Sequence, residues 1–169
     1  MKQYGNEFTI GKYAIVARIR IHKRIIVPTV YHNVEAWSNI TKTDMEELEK
    51  IQKRIVQGMC EMRTSTPYHG LLAELGIWPV RHLIQYKQIM LLHNIITSEE
   101  GRLIKEIIED QILHPWEGCW YEGVEETCRE YEVKVEEIRT WSKYKCKKEI
   151  RRRVEKKIQD EFEERKVKS

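Results

Sequence analysis

Residues 43–63 read TDMEELEKIQKRIVQGMCEMR, and the reading of this stretch sets the fold class. Thr43 and Glu46 stand three apart ahead of an apolar repeat, the spacing of a capping box in which each side chain serves a backbone N–H at the other's position. Behind them Met45, Leu48, Ile51, Ile55, Met59 and Met62 return at steps of three and four, which draws one apolar stripe along a helix. Glu46, Glu47 and Glu49 come early and Lys53 and Arg54 late, in the order the helix dipole favours. A helix is expected here.

Working outward, residues 64–80 read TSTPYHGLLAELGIWPV. Thr66 is the expected N-cap and Pro67 the first helical residue, where no N–H is needed. Tyr68, Leu71, Leu72 and Leu75 then bury one face, Gly76 takes a left-handed closing position, and Pro79 starts the next helix. Gly70 lets another element come close. The stretch reads as a short bracketed helix at a structural corner, not as an active loop. Beyond it, VRHLIQYKQIMLLHNII (80–96) carries Val80, Leu83, Ile84, Leu91 and Ile95 on one broad face widened by Met90 and Leu92. Ser98 is placed to cap a helix through Leu103, Ile104, Ile107, Ile108 and Ile112 that stops at Pro115. After the loop HPWEGCWYEG (114–123) come a short helix near 120–131 and a long one from Ser142, in which Cys146, Ile150, Val154, Ile158 and Phe162 recur every four residues.

Residues 9–27 are ambiguous. Ile15, Ala17, Ile19 and Ile21 alternate as in a strand, whereas Ile10, Ala14, Ala17, Ile21 and Ile25 fit a helical stripe. The length favours helix, ending near Pro28. The expected architecture is all-α, six or seven helices in an irregular bundle with a long basic C-terminal helix. Its expected division is a helical core domain over 1–131 and a basic C-terminal helical extension over 132–169.

Composition narrows the function classes. With 41% hydrophobic and 34% charged residues in 169, the chain has the profile of a soluble helical protein. Its longest apolar runs, such as IMLL at 89–92, fall far short of the ~20 residues of a membrane span. The opening MKQYGNEFTIGKY has no signal-peptide core, so no membrane partner and an intracellular location, cytoplasmic or nuclear, are expected. Cys60, Cys119, Cys128 and Cys146 form no CxxC pair and read as reduced thiols. Cys128 and Cys146 lie on apolar helix faces, where a free cysteine is a small hydrophobe.

Catalytic constellations are sparse. The three aspartates, Asp44, Asp110 and Asp160, fall on separate expected helices, and there is no Asp-Asp pair, HExxH, P-loop or GxSxG. His114, Cys119, Cys128 and Cys146 are too irregularly spaced for structural zinc, so no metal or other cofactor is expected. No local Cys–His pair supports a nucleophile, and His82 and His93 read as polar-face or core histidines.

Charge is the informative feature. Formal charge is +4 over residues 1–85, −6 over 86–127 and +5 over 128–169, so the acidic middle opposes binding along the whole length while the two ends can form one basic face. The candidates for phosphate contact are Arg18, Arg20, Lys23 and Arg24 in the first segment and Lys143, Lys147, Lys148, Arg151, Arg152 and Arg153 in the last. Trp141 and Tyr144 could stack on bases or pack inward. The competing reading for both segments is a solvated helix face laced by i,i+4 pairs. No cluster of Asn, Gln and Arg suited to reading base edges sits on one helix face.

Several spaced elements occur in a recognisable order. Pro28 is followed by Tyr31, Glu35 and Trp37, and then by Leu48, Ile51 and Gln52. Ser65, Thr66, Pro67, Leu71, Glu74, Leu75, Gly76 and Pro79 come next, then Pro115, Gly118 and Trp120, and a Lys-rich closing helix. Over about residues 26–160 this resembles the region downstream of the catalytic palm in reverse transcriptases of non-LTR, LINE-like retroelements. The resemblance implies a helical thumb or post-thumb region that supports a polymerase palm domain and touches the template–primer duplex. The aromatic-x-Asp-Asp turn of the polymerase is absent, so no catalytic residue is carried over and no enzyme activity is expected. The resemblance also makes the chain a fragment, or a truncated or repurposed copy.

The leading expectation is thus a non-catalytic, retroelement-derived helical module that contacts RNA or DNA backbone. The alternative is a protein-interaction scaffold, in which the stripe from Cys146 to Phe162 packs on a partner helix or forms a homodimer.

Overall fold

Every regular element among the described residues is helical. The computed structural model describes residues 14–38, 40–62 and 67–168, with side chains to 165. In chain order the elements are α1 (residues 14–30), a 3-10 turn at Val34–Ala36, α2 (Lys42–Met59), α3 (Tyr68–Leu75), α4 (Val80–Ile96), α5 (Leu103–Leu113), α6 (Trp120–Glu130), α7 (Val135–Thr140) and α8 (Lys143–Lys168). The fold is all-α. It has more helices than the six or seven expected, and α7 is the one that the sequence pattern did not reveal. Six residues are too few for a 3.6-residue period to show.

The first helix departs from expectation in its end and in its face. It does not stop near Pro28: a π-turn over His22–Ile26 carries it on to Val30, with the Val27 N–H bonded back to the His22 carbonyl. Proline has no N–H to donate and its ring crowds the carbonyl four residues earlier, so one widened turn lets the helix pass through it. The residues of the expected stripe that are described, Ala14, Ala17, Ile21 and Ile25, are all exposed, and Ile25 is 60% so. Arg18, Ile19, His22 and Ile26 face the protein instead, with His22 buried. Ile10 lies outside the described residues.

In α2 the capping box sits two residues earlier than expected. Thr41 and Asp44 form it: the Asp44 N–H donates to Thr41 Oγ1 at 3.1 Å and the Thr41 N–H to Asp44 Oδ2 at 3.0 Å. An aspartate at N3 thus replaces the longer glutamate of the usual pattern. The stripe also drifts, because Ile51 is exposed while Gln52, Val56 and Gln57 are buried.

Gln52 is inside because the corner at 67–80 uses it. Its Oε1 accepts from Tyr68 Oη at 2.5 Å and from the Val80 N–H at 2.9 Å, and its Nε2 donates to the Trp78 carbonyl at 2.8 Å. One amide therefore ties α2, α3 and the start of α4 together. Gly76, at φ 58°, closes α3 as expected, with the Ile77 N–H reaching the Leu72 carbonyl. Pro67 stands at the N-cap, one position before the expected one; Ser65 and Thr66 lie outside the described residues. Gly70 has no other element against it: a Cβ there would meet nothing within 4 Å.

Around α4 the rest assembles. It touches α2, the 3-10 turn, α5, α6, α7 and α8. Val80, Ile84, Ile89, Leu92, Ile95 and Ile96 are buried on it, and so are His82, Gln85 and His93. Tyr131 Oη donates to Gln85 Oε1 at 2.6 Å and accepts from His82 Nδ1 at 2.7 Å, while His82 Nε2 faces Glu161 of α8 at 3.3 Å. Gln85 and Arg81 each donate to Glu130 at 2.6 Å. The closing residue of α6 and the far end of α8 are thereby pinned to α4.

Ser98 does not cap α5; its Oγ donates to the Ile95 carbonyl at 2.6 Å and closes α4. Ser142 does cap α8, its Oγ accepting from the Lys145 N–H at 3.2 Å. The expected division at 131/132 cuts through one buried cluster. Val133, Ile138, Trp141, Cys146, Ile150 and Val154 share that cluster with Ile89, Leu92, Val124 and Cys128. Cys146, Ile150 and Val154 are all 0% exposed within this chain, so the first three positions of the expected partner seam are already covered by α4 and its neighbours, while Ile158 and Phe162 are half-buried. Two smaller clusters, one around Tyr31, Val34, Val80 and Ile84 and one around Val56, Leu71, Leu72 and Ile77, lie under the N-terminal half.

Candidate nucleic-acid interface

The two basic segments meet. A cleft of about 270 Å³ opens between α1, the 76–78 turn, α4 and α8, and both Lys23 and Arg151 line it. Trp78 and Tyr86 form aromatic walls in edge-to-face contact, with centroids 5.4 Å apart. The Arg151 guanidinium lies 5.8 Å from the Trp78 ring centre, within cation–π reach. Its Nε donates to Glu155 at 2.9 Å. Lys23 Nζ sits over Gly76, 3.9 Å from where a Cβ would be built on that glycine. Buried His22 completes one side, and its Nδ1 has no partner among the described residues. Burial, then the neighbouring Lys23 charge, holds the His22 imidazole below its ordinary value and so favours the neutral ring.

The other candidates divide by what already occupies them. Arg18 joins α1 to the end of α2: its guanidinium donates to the Met59 carbonyl at 2.9 Å and pairs with Glu61 at 2.8 Å. Arg20 and Arg24 are exposed. On α8, Lys143, Lys147 and Lys148 are exposed, and Lys143, Lys147 and Arg151 follow one another at steps of four along a single flank. Arg152 and Arg153 both turn to Glu149, at 2.6 Å and 3.1 Å. These pairs, the Arg152 hydrogen bond first, push the Glu149 carboxyl down to about 2. Arg153 also donates to the Tyr131 carbonyl at 3.2 Å and to the Glu132 carbonyl, capping the end of α6. The cationic row is thus thinner than the sequence suggests, because helical spacing brings Glu149 and Glu155 back onto the arginines.

Tyr144 is 77% exposed, whereas Trp141 is packed into the core with Lys145 Nζ 5.5 Å from its ring centre. Of the two proposed stacking residues only Tyr144 remains free. The aromatics that do reach the cationic cleft, Trp78 and Tyr86, escaped the sequence reading. Trp78 stood in plain view beside Pro79, but the basic residue near it in sequence, Arg81, turns to Glu130 and does not line the cleft. Both cations that surround it come from opposite ends of the chain.

All four cysteines are free. As expected, Cys128 and Cys146 are buried among apolar groups, which pushes their thiols up to about 12 and about 11 and keeps them protonated. His82 and His93 are core histidines, each 2% exposed. Among the described residues no cluster of His, Cys, Asp and Glu is placed to hold a metal ion, and no helix is long and apolar enough to cross a membrane. No family model, curated protein or solved structure matches the chain.

Proposed function

We propose that this chain is a non-catalytic helical module, derived from a retroelement reverse transcriptase, that contacts RNA or DNA through backbone phosphates or supports a polymerase core. The origin rests on the order of sequence elements from Pro28 to Trp120. The contact rests on one observation: Lys23 and Arg151 converge on a cleft with aromatic walls, and Lys147 and Lys143 extend the charge along α8 from there. Each four-residue step advances about 6 Å, so the flank offers about 12 Å of cationic surface. Cations in such a row displace condensed counterions from a nucleic-acid backbone, which makes affinity steeply salt-dependent.

The test is fluorescence anisotropy with labelled RNA and DNA strands between about 50 and about 200 mM salt. Affinity should fall steeply, with a log–log slope of about 0.7 per phosphate contacted by a single strand. Replacing Lys143, Lys147 and Lys148 together by Glu should abolish the interaction while leaving the circular-dichroism melt unchanged. Absence of binding at the lowest salt would refute the proposal.

A specific surface favours a second reading, as a protein-interaction scaffold. On α5, Leu103, Ile104 and Ile107 are exposed, and Leu113 at its end is 73% so. If that face is an interface, Ile104→Glu should reduce the sedimentation coefficient of the native protein or its capture of a partner.

A further inference from the structure

We infer that the cleft between α1 and α8 is a site for a single unpaired nucleotide, its phosphate held by Lys23 and Arg151 and its base against Trp78 and Tyr86. The inference rests on the proposed nucleic-acid contact and sharpens it, since it specifies unpaired rather than duplex nucleic acid. Four observations carry it. The two cations come from separate helices and line one opening, where a phosphate can be met from two sides. Trp78 and Tyr86 supply aromatic surface beside those cations, the pairing that single-strand binders use on bases of any sequence.

Size sets the third constraint. At about 270 Å³ the cleft lies just under the ~300–1,000 Å³ of sites for drug-sized ligands, so it suits one nucleotide and not two stacked ones. A base pair could not enter without separating. The fourth observation is His22, which is 1% exposed, lines the cleft and has an Nδ1 without a partner among the described residues. Leaving a buried ring nitrogen unpaired is costly. The π-turn that turns His22 inward leaves Lys23 exposed at the rim. Such turns recur at functional sites.

Gln52 makes the arrangement rigid. By holding the Trp78 carbonyl and the Val80 N–H it fixes the indole's backbone before any ligand arrives. Pre-positioned aromatic walls lower the ordering cost of binding.

The experiment compares three labelled probes at constant low salt: a single strand, the same strand with its bases removed, and the duplex. The single strand should bind about tenfold or more tightly than either of the others, because base stacking is lost in the abasic strand and sequestered in the duplex. Lys23→Gln, a change at an exposed residue, should weaken the single strand severalfold and lower its salt slope by about 0.7. Trp78→Phe should lose the tryptophan quenching that the single strand causes in the native protein. Where that variant melts early, Lys23→Gln alone decides. A free nucleoside monophosphate that competes with the strand and quenches Trp78 would support the same site with a free nucleotide as its source. Equal affinity for normal and abasic strands would overturn the inference and leave the backbone contact standing. Failure of all three probes to bind would overturn the nucleic-acid reading itself.

Discussion

The first and last helices are written in similar residues, basic side chains mixed with isoleucine and valine, yet the structure treats them differently. In α8 the apolar positions Cys146, Ile150 and Val154 are 0% exposed, and the helix lies in the main core against α4. In α1, Ile15, Val16, Ile21 and Ile25 are all exposed, and the helix attaches through His22, Ile19, Ile26 and the bonds of Arg18. The same kind of sequence is thus a structural beam in one place and a lightly held flank in the other. What differs is the partner. The central helix α4 is apolar on several sides and receives α8 along its length, whereas α1 meets the body through His22, Arg18 and the half-buried Ile19, Ile26 and Val27. For a cleft that both helices line, α8 supplies a wall built into the main core, and α1 supplies one held by fewer buried apolar groups.

The sharpest way to break this comparison is to cut equivalent apolar groups from both helices. Ile150→Ala should cost about 2–5 kcal/mol in urea unfolding, whereas Ile25→Ala should stay within about 0.5 kcal/mol. Similar losses would mean that α1 is buried in solution and the contrast is wrong. Acid probes the two helices together, since His22 on α1 and His82 beside Glu161 of α8 are both held below the ordinary value of 6.5, chiefly by burial. A depressed histidine binds its proton less readily folded than unfolded. Stability should therefore be intact above pH 6.5 and fall as pH drops below it, with His69, also depressed by burial, adding to the loss. Melting curves across pH 8 to 5 should show the decline, and His82→Gln should flatten it; a flat native profile would contradict the buried setting of these rings.

Within α8 itself, adjacent arginines separate structure from surface. Arg153→Ala should cost about 1–2 kcal/mol by stripping the Tyr131 and Glu132 carbonyls of their donor. Arg152→Ala, which loses only its exposed pairing with Glu149, should leave the melting curve where it is. The smallest expected effect is a gain. Glu132 closes α6 at φ 56°, with the Val133 N–H bonded to the Cys128 carbonyl in the way Gly76 closes α3. Glu132→Gly removes the Cβ strain of that conformation and should raise stability by about 0.5–1 kcal/mol, readable as a higher melting temperature.

Much of the local chemistry was legible. The helices α2, α4 and α8, the Gly76 stop and the Ser142 start are all decided within a turn or two of chain, and each appears in the structure where the residues imply it, although the buried face of α2 drifts from the expected stripe. Displaced features share a cause. Thr41–Asp44 and Thr43–Glu46 are rival caps two residues apart, and a short aspartate at N3 was enough to decide between them. The cleft was only half legible: its cations were found and its aromatics were not, because Trp78 and Tyr86 become neighbours of Lys23 and Arg151 only when the chain folds back.

By itself, then, the sequence determined that this chain is all-helical, where most of its helices lie, and that Cys128 and Cys146 are small core groups. Those properties depend on residues within a few positions of one another, whose spacing and side-chain chemistry are written in order. Tertiary structure alone decided which face of α1 turns inward, why Gln52 is buried, and that α8 is a core helix rather than an extension. Each of those outcomes depends on what α4 and the 67–80 corner present to the approaching helix. A face is buried by its partner, and periodicity carries no information about the partner.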